Sequence, residues 1–146
     1  MKPDQIEIVL VEDNIGDAKL TIMALRKANV GNHVELLRDG EQALDYIFFT
    51  GKYADRKADY AIGLILLDLK MPRIDGIEVL KKIKSDERSK HIPVAVFTSS
   101  QEDPDIKECY RLGANSYIVK PLDFEQFANT VKEAGLYWLM INHPPL

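Results

Sequence analysis

Ile8-Val9-Leu10-Val11-Glu12-Asp13 and Leu64-Ile65-Leu66-Leu67-Asp68 are the two stretches that decide the fold. Each is a short run of Ile, Val and Leu without a polar interruption, the pattern of a strand covered on both faces within a parallel sheet. Each ends in carboxylates. The carboxyl ends of strands in an open parallel sheet form the crevice where ligands bind, above all where the strand order reverses. Two buried strands closed by acids therefore predict one acidic site at the ends of neighbouring strands.

Outward from these runs the apolar spacing alternates between helix and strand. Ile15, Ala18, Ile22 and Leu25 line one helical face behind an N-cap at Asn14 or Asp13, and Gly31 is the expected stop. His33 to Leu37 reads as a short strand. Asp39-Gly40 turns into a second helix carrying Ala43, Leu44 and Ile47, and residues 50 to 63 read as a long polar connection. Beyond Pro72, a third helix is predicted from Ile77, Leu80, Ile83 and Lys84, with Asp75-Gly76 as its turn or start. Pro93 to Phe97 is the next buried strand, leading into Thr98-Ser99-Ser100. Asp103 and Pro104 look like an N-cap and N1 pair for a helix through Ile106, Cys109 and Tyr110 that Gly113 ends. Ser116 to Val119 is a last strand before Lys120-Pro121, and Asp123 caps a final helix with Phe124, Phe127 and Val131. Five strands alternating with five helices predict an α/β doubly wound parallel sheet. With the flavodoxin-like order 2-1-3-4-5, Glu12, Asp13 and Asp68 converge. Clustered carboxylates repel unless a cation neutralises them, and oxygen-only ligands with room for water suit Mg²⁺.

With 146 residues, 46% of them hydrophobic, the chain can bury a core as one domain. A net charge of −4 argues against binding nucleic acid by phosphate neutralisation. Cys109 is the only cysteine, which excludes an internal disulfide and a cysteine-rich zinc site and points to the cytoplasm. The N-terminal residues lack an apolar signal segment, and no stretch approaches the roughly 18 apolar residues of a membrane span. His33, His91 and His143 are scattered without a relay or metal pattern, so surface or packing roles are expected. Cys109 lies on an apolar helical face and reads as inert core.

The ordered set Glu12-Asp13, Asp68, Thr98 and Lys120-Pro121 resembles the receiver domain of bacterial response regulators over residues 5 to 135. Met71-Pro72 and Asp75-Gly76 match the loop after the family's phosphoacceptor, and Tyr117 matches its aromatic switch position. The connection near residues 50 to 62 and the tail Tyr137-Trp138-Leu139 look most like the regulators paired with phytochrome histidine kinases. The resemblance implies that Asp68 takes a phosphoryl group from a phosphohistidine of a sensor histidine kinase, possible light input following from the narrower likeness. It implies Mg²⁺ held by Asp13 and Asp68, by the Lys70 backbone carbonyl and by Glu12 through water. Lys120 then serves a phosphoryl oxygen, or Asp68 before phosphorylation. Thr98 and Tyr117 carry the change to the fourth helix, fifth strand and fifth helix, Lys70 and Ser100 tune phosphoryl lifetime, and the family's pattern suggests a cis Lys120-Pro121 bond, which the residues themselves leave open.

Alone, Lys120 would read as a surface charge, Thr98 as a strand-end hydroxyl and Tyr117 as a half-buried aromatic; their order gives them meaning together. Residues 136 to 146 form an apolar tail, Leu136 to Ile141, expected to pack on its own domain or, preferentially, to bury itself in a homodimer across the last helix and strand. So short a tail is expected to form no output domain, leaving output to a downstream protein target. The chain is expected to be no enzyme beyond its own phosphorylation and dephosphorylation. Alternatives are a relay passing phosphate to a histidine phosphotransfer protein, or an interaction module independent of phosphorylation. A flavin carrier is disfavoured because Glu12-Asp13 would repel the flavin phosphate. An aspartate-nucleophile phosphatase would want an aspartate where Lys70 stands.

Overall fold

A computed structural model describes residues 6–30, 33–57 and 60–142. Strands β1 (Ile6–Val11), β2 (His33–Leu37), β3 (Ala61–Leu67), β4 (Val94–Thr98) and β5 (Ser116–Val119) form one parallel sheet in the order β2-β1-β3-β4-β5. Helices α1 (Ile15–Lys27), α2 (Gly40–Phe48), α3 (Gly76–Ser85), α4 (Asp103–Leu112) and α5 (Phe124–Leu136) connect and flank the strands. This is the expected doubly wound architecture.

The two-residue period of the strands divides the core in two. Val9, Val11, Ile65, Leu67, Val94 and Val96 bury one face with Ala43 and Ile47 of α2, Val79, Leu80 and Ile83 of α3, and Cys109 of α4. Ile8, Leu10, Leu64, Leu66, Ala95 and Phe97 bury the other with Ala18 and Leu25 of α1 and Phe127 and Val131 of α5. Each large aliphatic side chain so removed from water contributes about 1.5–3 kcal/mol. That burial outweighs the weak local preference of any single helix. Cys109 is part of this core, as expected.

Side-chain caps fix where most helices begin. Asn14, Asp39, Asp75 and Asp123 accept hydrogen bonds from the backbone N–H groups of Asp17, Gln42, Glu78 and Gln126 at 2.8–2.9 Å. Helix α4 differs from expectation by one residue: its N-cap is Glu102, and Asp103 and Pro104 already lie in its first turn. The reason is that the Glu102 carbonyl accepts the first helical bond, from Ile106 N–H at 3.1 Å. Helix α1 ends at Lys27, and Asn29 adopts the left-handed conformation (φ 56°) that lets Val30 N–H return to the Leu25 carbonyl. Gly31, His143 and Pro144-Pro145 lie outside the described residues.

The polar connection is shorter than expected. It contains a 3₁₀ turn at Gly51–Tyr53, and β3 already starts at Ala61. Ile62 pairs with Glu7 and Leu64 with Ile8, so Gly63 is the extra residue of a bulge. A Cβ on Gly63 would lie 2.5 Å from both Ile6 Cγ2 and Leu139 Cδ2. The absent side chain is what seats the tail. After α5, one π-helical turn (Tyr137–Ile141) directs Trp138 and Leu139 onto the α1/α5 face and leaves Tyr137, Met140 and Ile141 exposed. The tail thus packs in part on its own domain.

At the amino end of the sheet, Glu7 is buried and receives the Tyr46 hydroxyl, which lies 2.6 and 2.7 Å from its two oxygens. Burial drives the Glu7 pKa up, against the Tyr46 hydrogen bond that holds it down. The folded state therefore binds this proton more tightly than the unfolded state. Stability from it is complete below the ordinary value of 4.5 and is lost as pH rises through the higher folded value. Chemical denaturation of wild type and Glu7→Gln across this range, with chelator present, should show the variant gaining on wild type as pH rises. A constant difference would rule out the buried carboxyl as the cause.

Candidate phosphoacceptor site

Register builds the site. Val11 and Leu67 are partners on β1 and β3, so the next residues, Glu12 and Asp68, leave the sheet side by side. Thr98 and Val119 are partners on β4 and β5, which sets Lys120 beside the same edge, its N–H donating to the Thr98 carbonyl at 2.7 Å. The positions singled out in sequence thus share one end of the sheet.

Their contact point is the Lys120 ammonium. Its Nζ lies 2.6 Å from Glu12 Oε1, 2.9 Å from Asp17 Oδ2 and 3.1 Å from Asp68 Oδ2. Glu12 is 1% exposed and Asp68 7%, so these are desolvated charges rather than a surface ion pair. Burial pushes the Glu12 carboxyl up to about 7, with the neighbouring Asp68 charge adding to the rise and Lys120 opposing it. Burial also pushes Asp68 up, but hydrogen bonding from Glu12 and the charge of Lys120 outweigh it and hold Asp68 below its ordinary value. Lys120 is raised well above the usual lysine value because its three carboxylates outweigh its own burial. Of the two carboxyls, Asp68 is thus the one that gives up its proton more readily and Glu12 the one that holds it more tightly.

Asp13 completes an acidic group: carboxylate oxygens of Glu12, Asp13 and Asp68 lie within 4.8 Å of one another. Hard oxygen donors at this spacing can hold a divalent cation. The Lys70 backbone N–H reaches Asp68 Oδ1 at 3.4 Å, and Asn14 N–H reaches Glu12 Oε2 at 3.2 Å. Gly76, at the start of α3, packs against the Asp68 carbonyl and Leu69 so closely that a Cβ could not be accommodated without displacing backbone. The Asp75-Gly76 helix start thus fixes the loop behind Asp68.

Thr98 is fully buried, and its Oγ1 lies 3.5 Å from Ser100 N–H. Tyr117 is half-buried, and its hydroxyl donates to the Ser100 carbonyl at 3.0 Å, while the Ser100 hydroxyl donates to Asp105 at 2.7 Å. Thr98 and Tyr117 are thereby tied to one loop, between β4 and α4. No peptide bond among the described residues is cis, so Lys120-Pro121 is trans, contrary to what the resemblance implies.

Two residues escaped the sequence reading. Asp17 contacts Lys120 from the first turn of α1, beside the acidic end of β1. Arg38 donates through Nη2 to the Asp13 carbonyl at 3.1 Å. It stands just past β2, where only the strand order reveals its proximity to β1.

The family model for the response regulator receiver domain matches residues 8–132. The chain belongs to this receiver family. A probable methanogenesis regulatory protein, FilR2 of Methanothrix harundinacea (strain 6Ac), is 41% identical over 97% of this receiver domain chain and 89% of its own length. Among solved structures, the phosphorylated cyanobacterial phytochrome response regulator RcpA has TM-score 0.90 at 39% identity, covering 97% of this chain and 99% of that one. The Mn²⁺-bound form of response regulator Rcp1 has TM-score 0.88 at 33% identity, covering 96% and 99%. The receiver is thus similar to phytochrome response regulators across nearly its whole length.

Removing the Lys120 ammonium would leave buried carboxylates uncompensated, a loss of about 3–5 kcal/mol when one partner of a buried ion pair is removed. Urea denaturation of Lys120→Met should show a loss of that size in chelator and a partial recovery with Mn²⁺ larger than any gain by wild type. Equal stability of the two proteins in chelator would contradict the role assigned to this cation.

Proposed function

We propose that Asp68 is the phosphoacceptor of a two-component system and takes its phosphoryl group from a phosphohistidine of a sensor histidine kinase. The observation that carries this reading is the Asp68 carboxylate at the carboxyl end of the central strand β3, 3.1 Å from a buried ammonium and beside two further acids. Asp68 attacks phosphorus, the new oxygen–phosphorus bond forms as the phosphorus–nitrogen bond breaks, and the histidine nitrogen keeps the electron pair. Phosphoryl transfer demands positioning and charge neutralisation more than covalent assistance. Lys120, released from Asp68, is suited to a phosphoryl oxygen. Mg²⁺ held by Asp13, Asp68, the Lys70 carbonyl and, through water, Glu12 would supply the remaining neutralisation, as the oxygen-only donor set favours. Apart from forming and losing this phosphoryl group, the chain is no enzyme.

In the switch we propose, the Thr98 hydroxyl donates to a phosphoryl oxygen and draws its loop inward. Tyr117, anchored to the Ser100 carbonyl in the same loop, responds by changing its position. The altered surface is then α4, β5 and α5, which a downstream protein reads. The likeness to RcpA supports a phytochrome-type kinase partner and light as the stimulus. The buried free thiol Cys109 suits the reducing cytoplasm.

Intact mass after incubation with a small-molecule acyl phosphate and Mg²⁺ tests the chemistry. One added phosphoryl group is expected on wild type, none with chelator and none on Asp68→Asn. An adduct that persists on Asp68→Asn would move the acceptor elsewhere.

A homodimer across α5, β5 and the tail is part of the proposal. Tyr137, Met140 and Ile141 remain 48%, 71% and 62% exposed after the tail has packed, which supports an apolar contact with a second copy. Light scattering over a concentration series should show dimers that Met140→Glu disperses. A mass that stays monomeric in both phosphorylation states would end this part of the reading.

A further inference from the structure

At the end of the sheet opposite the acidic pocket, β1 and β2 bring together Glu7, His33 and Glu35. Glu7 and His33 are direct partners in the parallel register, and Val9 pairs with Glu35, so all three side chains stand on the α2 side of the sheet with Val9 and Leu37. Candidate ligand atoms of the three lie within 4.8 Å of one another. His33 Nε2 is 3.7 Å from Glu7 Oε2 and 2.9 Å from Glu35 Oε1. Two ligand atoms bound to a tetrahedral zinc ion at about 2.0–2.2 Å lie about 3.4 Å apart, a value these two distances bracket. The sequence reading found no metal pattern around His33 because the third donor comes from another strand.

A second observation points to a ligand. The Glu7 side chain is 3% exposed, and its oxygens lie 2.6 and 2.7 Å from the single hydroxyl of Tyr46. The single Tyr46 hydroxyl is shared between these two oxygens, and Oε2 also faces His33 Nε2 at 3.7 Å. A cation there would satisfy it and leave Tyr46 as the outer-shell donor that orients the ligand. The His33 ring is itself held, stacked on Tyr60 with centroids 5.1 Å apart and planes at 18°. A hollow of about 280 Å³ adjoins the three donors, and the His33 and Glu35 side chains are 40% and 30% exposed, leaving room for water as a fourth ligand. Arg56, which also lines the hollow and whose charge lowers the Glu7 pKa, is held beside it: Nε donates to the Tyr46 carbonyl at 2.6 Å, and its guanidinium lies over the rings of Tyr46 and Phe49.

We propose that Glu7, His33 and Glu35 form a second metal site, at the amino edge of the sheet, that binds a divalent transition-metal ion of the zinc type. Imidazole and carboxylate donors favour such an ion over Mg²⁺, and two carboxylates with a neutral imidazole balance its charge. The site is independent of the phosphoacceptor reading, since it shares no residue with it.

Calorimetric titration of the full chain with Zn²⁺ in excess Mg²⁺ tests this. One zinc equivalent should bind to wild type and to Asp13→Asn alike, and His33→Ala should weaken it at least tenfold. The His33 imidazole resonances should shift on zinc addition. Should His33→Ala fail to fold, Glu35→Gln, on the exposed edge of β2, should show the same loss. No zinc uptake at micromolar concentration, uptake unchanged by the variants at His33 or Glu35, or uptake abolished in Asp13→Asn would overturn the proposal.

Discussion

The contact between the Lys120 ammonium and Glu12, Asp17 and Asp68 is the constraint around which the functional end of the molecule is organised. It joins the ends of β1, β3 and β5 to the first turn of α1, elements far apart in sequence. Two acids buried side by side would otherwise repel, and neither could stay ionised at little cost. One cation among them lets Asp68 hold its charge while Glu12 carries the raised pKa. The same charge distribution favours a divalent ion, because a cation entering the group meets ligands that are already close together.

The sheet supplies the rigidity this arrangement needs. Glu12 and Asp68 follow strands whose preceding residues are almost wholly excluded from water, and their backbones are fastened to neighbours: Glu12 N–H to the Leu37 carbonyl and Asp68 N–H to the Val11 carbonyl. By contrast, the elements tied to Thr98 and Tyr117 belong to a loop and to a four-residue edge strand whose residues are only half-buried. The proposed chemistry thus rests on the stiff centre of the sheet and the proposed response on its looser margin, the part with least burial to lose on moving.

Much of this was legible in the residues. Uninterrupted apolar runs identified the buried strands, short polar residues before helical patterns identified the caps Asn14 and Asp123 and the helix starts at Asp39 and Asp75, and acids at two strand ends pointed to their convergence. Reading failed where the decisive information is not local. Asp17 required the phase of α1 relative to the lysine that follows β5; Arg38 and the Glu7, His33 and Glu35 group required strand register. The start of α4 shifted because the bond from Ile106 N–H to the Glu102 carbonyl sets it, and that of β3 because pairing with β1 begins at Ala61. For α1 the stop is supplied by Asn29, one of the few residues other than glycine that adopts a left-handed conformation at modest cost.

The two outermost strands also limit how this molecule can be approached. A parallel sheet left open at its margins offers unpaired backbone groups to any extended chain, a route to fibrous association. Here one margin, β2, carries His33 and Glu35, and the other, β5, is four residues long and is followed after Lys120 by Pro121, which has no N–H to offer. Edge-to-edge growth is thereby discouraged at both rims, so recognition falls to side chains, which can discriminate between partners in a way that a shared backbone ladder cannot.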